Sequence, residues 1–499
     1  MARIKVDLDR THGTINPMIY GGFIEHLGRC IYGGIYEEGS PLADARGFRT
    51  DVLEAVRALR VPILRWPGGN FVSGYHWMDG VGPKERRPRK MELAWHTEES
   101  NRFGTAEFIE YCRAIGAEPY ICVNLGTGTL DEAQAWVEYC NGTGNTYYAN
   151  LRREHGYEEP FNVKYWGLGN EMYGSWQIGA KTAEEYARFA VEAAKLMKWT
   201  DPSIKLVSCG HNGLAEWDRI VLEKLARYVE YHSIHLYTGS SDPQENVAHP
   251  LVAEQYIAAT QALIDEVRYR QRIAHPIKIA FDEWNVWYRA RGRETRLEER
   301  YDFSDALAVA VYLNVFQRNC RSVEIANLAQ LVNVIAPIFT SPDGLFLQTI
   351  YHPLKLYVDH SGSVSIDAWV DCATYASGKV WGREIPVLDV SCTYDPDERR
   401  CTLAVVNRAL EPETTEIAIF GGVLDSAPKG APGDAQRGVR VGETELEAEI
   451  YALQSSDPHA CNDFDRPNAL APTTARAKVG TRFSYTFPPF SLTLIKVAL

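Results

Sequence analysis

Apolar residues between positions 18 and 375 fall into two alternating arrangements: short continuous runs, and longer stretches with apolar side chains three and four apart. A continuous run suits a strand buried on both faces, whereas the three-and-four spacing marks one face of a helix. Eight strands are predicted, over 19–24, 62–66, 118–124, 163–170, 204–209, 229–237, 277–283 and 323–332. Helical stretches lie between them, as at 51–59, 105–115, 182–197 and 303–318. Repeated βα units can close into a (β/α)8 TIM barrel or open into a doubly wound sheet. Eight of them point to the barrel, an α/β fold.

From about Gly378 the pattern changes. Segments 403–406, 416–420, 440–441, 447–451, 483–487 and 492–497 read as short, half-buried strands, and loops rich in Pro, Gly, Asp and Ala fill 427–438 and 457–474. This predicts an all-β, jelly-roll-like sandwich. Residues 3–8 alternate too and should pair with that module. The expected division is therefore a catalytic barrel over 16–375 and a sandwich over 376–499, joined by the N-terminal strand 1–15.

Composition narrows the partners. With 52 Lys and Arg against 65 Asp and Glu, the formal charge is −13, which should repel nucleic acid and anionic membranes and suits a neutral partner such as a carbohydrate. The first residues carry no apolar signal core, and no run approaches a membrane span, so a cytoplasmic protein is expected. Ten scattered cysteines, none in a CxxC pair, read as reduced core thiols rather than a metal site.

The strongest chemical signal is Lys164-Tyr165-Trp166-Gly167-Leu168-Gly169-Asn170-Glu171, a strand ending in an amide and a carboxylate. At the C-terminal face of a barrel both would enter the cleft; elsewhere they would merely cap a helix. The glycines do not make a nucleotide loop, since a third is missing and a carboxylate follows. A second strand, Ile277-Lys278-Ile279-Ala280-Phe281-Asp282-Glu283-Trp284, also ends in carboxylates. The 112 residues separating Glu171 from Glu283 equal three βα steps of about 30 to 40 residues, which puts them on the fourth and seventh strands. Two carboxyl groups about 5 Å apart are what hydrolysis of a glycoside with retention requires, Glu171 as proton donor and Glu283 as nucleophile. Strand alternation should let only one of Asp282 and Glu283 point inward, and the terminal position favours Glu283.

Other strand ends offer polar groups. Arg65-Trp66-Pro67-Gly68-Gly69-Asn70 follows strand two, Glu25 and His26 end strand one, and Tyr231, Ser233, His235 and Tyr237 share one face of strand six while His232 faces away. That parity excludes a zinc pair of His232 with His235. Of the strand-end tryptophans, Trp95 and Trp176 are placed in mouth loops where they could stack on sugar rings.

Read together, these segments resemble the α-L-arabinofuranosidases of glycoside hydrolase family 51 over nearly the whole chain. The carrying motifs are Gly21-Gly22-Phe23-Ile24-Glu25-His26, Arg65-Trp66-Pro67-Gly68-Gly69-Asn70-Phe71, Asn124-Leu125-Gly126-Thr127-Gly128, Gly167-Leu168-Gly169-Asn170-Glu171-Met172, His235-Leu236-Tyr237 and Phe281-Asp282-Glu283-Trp284-Asn285. The resemblance implies acid/base and nucleophile on strands four and seven. It also implies a furanose pocket lined by Glu25, Arg65, Asn70, Asn170, Tyr237 and Gln348, with Asn170 on the 2-hydroxyl. It further implies no metal or organic cofactor, arabinose-containing oligosaccharides or polysaccharides as substrates, and a homo-oligomer, often a hexamer. One departure is Tyr173-Gly174-Ser175-Trp176, where many members carry Asp-Gly-Pro-Trp after the same Met. An endo-glucanase or xylosidase of the same family, or a sugar-binding protein without catalysis, are the rival readings; retention of both carboxylates argues against the last. Glu171 is expected to have its pKa raised by the nearby charge of Glu283.

Overall fold

The computed structural model describes residues 1–382, 384–421 and 445–499. Eight parallel strands close into a barrel: Gly21–Phe23, Ile63–Trp66, Glu118–Val123, Tyr165–Leu168, Lys205–Ser208, Tyr231–Thr238, Lys278–Val286 and Val323–Ala329, here the first to eighth barrel strands. Each pairs with its neighbours in chain order, and the eighth returns to the first. The lower interior is filled by Ile63, Tyr120, Tyr165, Val207, Tyr231, Ala280 and Ile325, one residue from each of strands two to eight. That plug leaves the C-terminal mouth as the open end.

Local signals explain the surrounding helices. Thr182 and Glu185 form a reciprocal capping box that starts helix Ala183–Thr200, and Gly116, at φ +79°, ends helix Thr105–Ile115 in the left-handed conformation glycine tolerates. Helix Phe303–Arg318 is buried on nearly every side because it is sandwiched. Phe316 and Tyr312 pack on Phe281 and Trp284 of the seventh barrel strand, while Asn314 and Arg318 bind Asp389 of the C-terminal sheet.

Among the described residues, the C-terminal all-β part is built on a hydrogen-bonded sheet of nine strands, in the order Thr473–Val479, Leu446–Gln454, Ser491–Ala498, Arg400–Asn407, Leu388–Asp395, Val364–Asp371, Ala2–Thr14, Glu413–Phe420 and Arg482–Phe487, beside a separate pair, Thr374–Ala376 with Glu384–Pro386. Its apolar side gathers Ile4, Val6, Ile366, Leu403, Ile417 and Ile495 into a single core. Strand Val364–Asp371 pairs with Ala2–Thr14, so the sheet begins before residue 376, where the boundary was expected. The reason is that helix Tyr351–His360 completes the last βα unit and the chain enters the sheet after three intervening residues. Strands Leu388–Asp395 and Thr473–Val479 were not foreseen either; the second begins inside the segment read as loop at 457–474. The strand expected at 440–441 and the loop at 427–438 lie outside the described residues.

Candidate active site

Glu171 follows the fourth barrel strand by three residues, and its backbone lies at φ +41°, a region a glutamate enters only where the surroundings hold it. Its carboxylate is ringed by donors. Trp176 Nε1 donates to Oε2 at 2.8 Å, His235 Nδ1 lies 3.0 Å from Oε1, and Tyr173 OH is 3.4 Å away. Asn170, just before it, accepts from Arg65 Nη2 at 2.6 Å, while its buried Nδ2 has no partner.

Glu283 stands on the seventh strand, and both it and Asp282 reach the barrel interior. Simple alternation does not allow this, but the strand slips: Ala280 pairs with Ser233 and Glu283 with His235, three residues against two. A bulge of this sort turns consecutive side chains to the same side. Glu283 accepts from Arg65 Nη1 at 2.7 Å and from Tyr237 OH at 2.8 Å. Asp282 accepts from Tyr120 OH at 2.7 Å and from Ser233, faces His235 Nε2 at 3.2 Å and lies 3.4 Å from Arg65 Nε. Ligating atoms of Glu171, His235 and Glu283 all lie within 4.8 Å of one another, so the two glutamates converge on one point. A separation of this size suits a retaining pair and leaves no room for the intervening water an inverting pair needs.

Glu171 and Glu283 both line a pocket of about 630 Å³. Glu25 lines it, fixed by the N–H of Phe71 at 2.9 Å, Trp95 Nε1 at 3.1 Å and Gln330 Nε2 at 3.1 Å. A side chain at Gly68 would place its Cβ 2.4 Å from Glu25 Cγ, so the turn after strand two must be glycine. Asn70, Trp95, Trp176 and Tyr237 line the pocket with Glu25. Gln348 does not: it is buried behind the wall, donating to the carbonyls of Glu299 and Ala336 and accepting from Tyr301 N. The glutamine at the pocket is Gln330, just beyond strand eight. The sequence reading also passed over Trp287, packed edge-on against Tyr237, as well as Leu93 and Arg291 at the rim. Trp95 rides on a hairpin, Lys90–Glu92 with Thr97–Glu99, too short to register in the hydrophobic pattern. His232 does face away, into a buried chain with Ser208 and Asp218.

The electrostatics correct one expectation. Burial tends to raise the Glu171 pKa, but the hydrogen bond and charge of His235, the Trp176 N–H and Arg65 outweigh it and hold the group below the usual glutamate range. His235 is the counterpart: burial lowers its pKa, yet Glu283, Asp282 and Glu171 together push it up to about 10. Asp282 is held well below the usual range, because Arg65, His235 and Ser233 overcome its burial. Glu25, without a cation, is pushed up to about 7 by burial, with Glu283 adding to the rise. Glu171, His235 and Glu283 are also the one group among the described residues spaced to hold a metal ion, though their ligand atoms are already engaged with each other, Trp176, Arg65 and Tyr237.

A TIM barrel with two glutamates converging at the ends of its fourth and seventh strands defines a retaining glycoside hydrolase. Comparison with known proteins gives the particular kind. Two family models match, "Alpha-L-arabinofuranosidase 1 domain" over residues 55–250 and "Alpha-L-arabinofuranosidase C-terminal domain" over 282–491. The probable α-L-arabinofuranosidase C of Aspergillus niger is 49% identical, with 99% of this chain and 96% of that protein aligned. The intracellular exo-α-(1→5)-L-arabinofuranosidase 1 of Bacillus subtilis is 38% identical, over 99% of each. The thermostable GH51 α-L-arabinofuranosidase structure of Thermotoga petrophila superposes with a TM-score of 0.89 at 45% identity, covering 99% of this chain and all of that one. The chain belongs to the α-L-arabinofuranosidases of glycoside hydrolase family 51, and its activity is that of an α-L-arabinofuranosidase.

Proposed function

We propose that the enzyme removes single terminal arabinofuranosyl units from arabinan, arabinoxylan or their oligosaccharides, with Glu171 as acid/base and Glu283 as nucleophile. The observation that carries this reading is the convergence of the two carboxylates, within 4.8 Å, in one pocket. Glu283 attacks the anomeric carbon as its bond to the leaving oxygen breaks, and Glu171 gives that oxygen a proton. Glu171, now a carboxylate, takes a proton from water, whose oxygen displaces Glu283 and restores the original configuration. The unpaired Asn170 Nδ2 beside this point suits a sugar 2-hydroxyl, and a donor met there strengthens binding as charge develops.

Arg65, Tyr237 and His235 hold the carboxylates in place. Glu25, Asn70 and Gln330 offer polar contacts to the ring, and Trp95 and Trp176 form walls. An exo action is supported by the B. subtilis relative, which is exo-acting by name. The B. subtilis relative, intracellular by name, and ten free thiols support a cytoplasmic location, and no helix among the described residues is long and apolar enough to cross a membrane. Assembly as a homo-oligomer is proposed on the family resemblance.

The test is a panel of 4-nitrophenyl glycosides, namely α-L-arabinofuranoside, β-D-xylopyranoside and β-cellobioside, run beside linear arabinan, arabinoxylan and β-glucan. Arabinofuranoside turnover with free arabinose as the first product supports the reading. Internal cutting of β-glucan without arabinose release overturns it.

A further inference from the structure

His235 is placed unlike the other polar groups of the site, because both of its ring nitrogens face carboxylates. Nδ1 lies 3.0 Å from Glu171 Oε1 and 3.7 Å from Glu283 Oε2, and Nε2 lies 3.2 Å from Asp282 Oδ1. A neutral imidazole carries one N–H and one lone pair, so one of these contacts would set a lone pair against a carboxylate. An additional proton must therefore lie in one of them. Asp282 already accepts from Tyr120 and Ser233 and pairs with Arg65, so it needs none. The contact left for the proton is Nδ1 to Glu171.

We propose that in the resting enzyme the proton of the general acid is stored on His235 Nδ1, hydrogen-bonded to Glu171, and passes to Glu171 as Glu283 attacks the sugar. This deepens the assignment of Glu171 and Glu283 made above and rests on it. The coupling follows from the charges. Glu283 is the largest influence holding the proton on His235 against burial, which works the other way. As Glu283 forms its bond to the anomeric carbon, that carboxylate becomes a neutral ester, and His235 loses the charge that favoured its imidazolium. The proton moves from Nδ1 to Glu171 and on to the glycosidic oxygen, which keeps the electron pair of the broken bond. When water attacks, its proton returns to Glu171 and His235, and Glu283 leaves again as a carboxylate.

The other groups around the ring do not change this balance. The neighbouring His211 accepts the His235 backbone N–H through its carbonyl, and burial keeps its own ring below the usual histidine range. Tyr173 and Tyr237 have their pKa values raised well above the ordinary tyrosine value, first by burial and then by the nearby carboxylates, and so stay neutral. Arg65 remains charged on the far side of Glu283 and Asp282.

The experiment is the pH dependence of kcat/KM on α-1,5-arabinobiose for the wild type and His235→Gln, because this ratio reports the groups of the free enzyme. Glutamine can still donate a hydrogen bond but cannot store a proton. The basic limb should fall by at least one pH unit in the variant, and kcat/KM should drop further on α-1,5-arabinobiose than on 4-nitrophenyl α-L-arabinofuranoside, whose leaving group needs little acid help. An unmoved limb with lower rates on both substrates would make His235 a structural prop and overturn the proposal, though not the assignment of the two glutamates. If the variant does not fold, neutron diffraction of the substrate-free wild type decides. Deuterons on both ring nitrogens and none on Glu171 are expected; a deuteron on Glu171 beside a bare Nδ1 overturns it.

Discussion

Arg65 Nη1 lies 2.7 Å from Glu283 Oε1, both side chains buried, so the cation is locked to the nucleophile from beneath the pocket. The same guanidinium reaches Asp282 and Asn170, which makes it the hub that orients three groups from two other strands. Breaking a buried pair of this kind strands the partner charge and costs about 3–5 kcal/mol. Arg65→Gln should lower the melting temperature and reduce kcat/KM by roughly 10²-fold or more, the scale seen for loss of one positioned catalytic donor. Arg65→Lys keeps the charge but cannot serve both Glu283 and Asn170, so it should fall between; calorimetry and steady-state kinetics check the order.

Trp176 presents its indole N–H to Glu171 although the ring is 60% exposed. That donor stabilises the carboxylate form, so its removal makes Glu171 more basic and holds the proton it shares with His235 Nδ1 to higher pH. For Trp176→Phe the basic limb of kcat/KM should therefore move to higher pH, opposite in sign to the change expected for His235→Gln. A limb that moves down, or stays, contradicts the hydrogen bond as the cause.

The two glutamines that follow the eighth barrel strand should separate cleanly. Gln348→Ala removes three hydrogen bonds inside the wall and should cost about 1–3 kcal/mol of stability with KM unchanged. Gln330→Ala frees Glu25 in the pocket, so it should raise KM for arabinofuranosides several-fold with a smaller loss of stability. Thermal melts and Michaelis plots of the pair test this.

Stability should also follow the His235 proton. Its folded pKa, about 10, lies above the ordinary value of 6.5, so its contribution is complete below pH 6.5 and is lost as pH rises toward 10. The wild type should lose melting temperature across that alkaline window, and His235→Gln should show a flatter profile there.

Much of this was readable from the chain because the barrel writes itself in two periods. All eight barrel strands and the helices Thr105–Ile115 and Phe303–Arg318 lie where apolar spacing puts them, and each carboxylate ends an apolar run. What escaped depends on contacts between distant segments. The inward turn of Asp282 beside Glu283 comes from a slip against strand six, which no alternation rule on one strand reveals. The lowered pKa of Glu171 comes from His235, 64 residues away. Gln330 rather than Gln348 reaches Glu25 across 305 residues of chain, and Val364–Asp371 joins the sheet by pairing with the N-terminal strand on one side and Leu388–Asp395 on the other.

The most direct measurement compares Glu171→Ala and Glu283→Ala on two substrates by rapid mixing. If Glu171 is the acid/base, its variant should release one equivalent of 4-nitrophenol per site in a fast burst, then stall in deglycosylation, and lose nearly all turnover of α-1,5-arabinobiose. Glu283→Ala should show neither burst nor turnover on either substrate. Equal loss on both substrates for Glu171→Ala, or a burst from Glu283→Ala, would contradict the account.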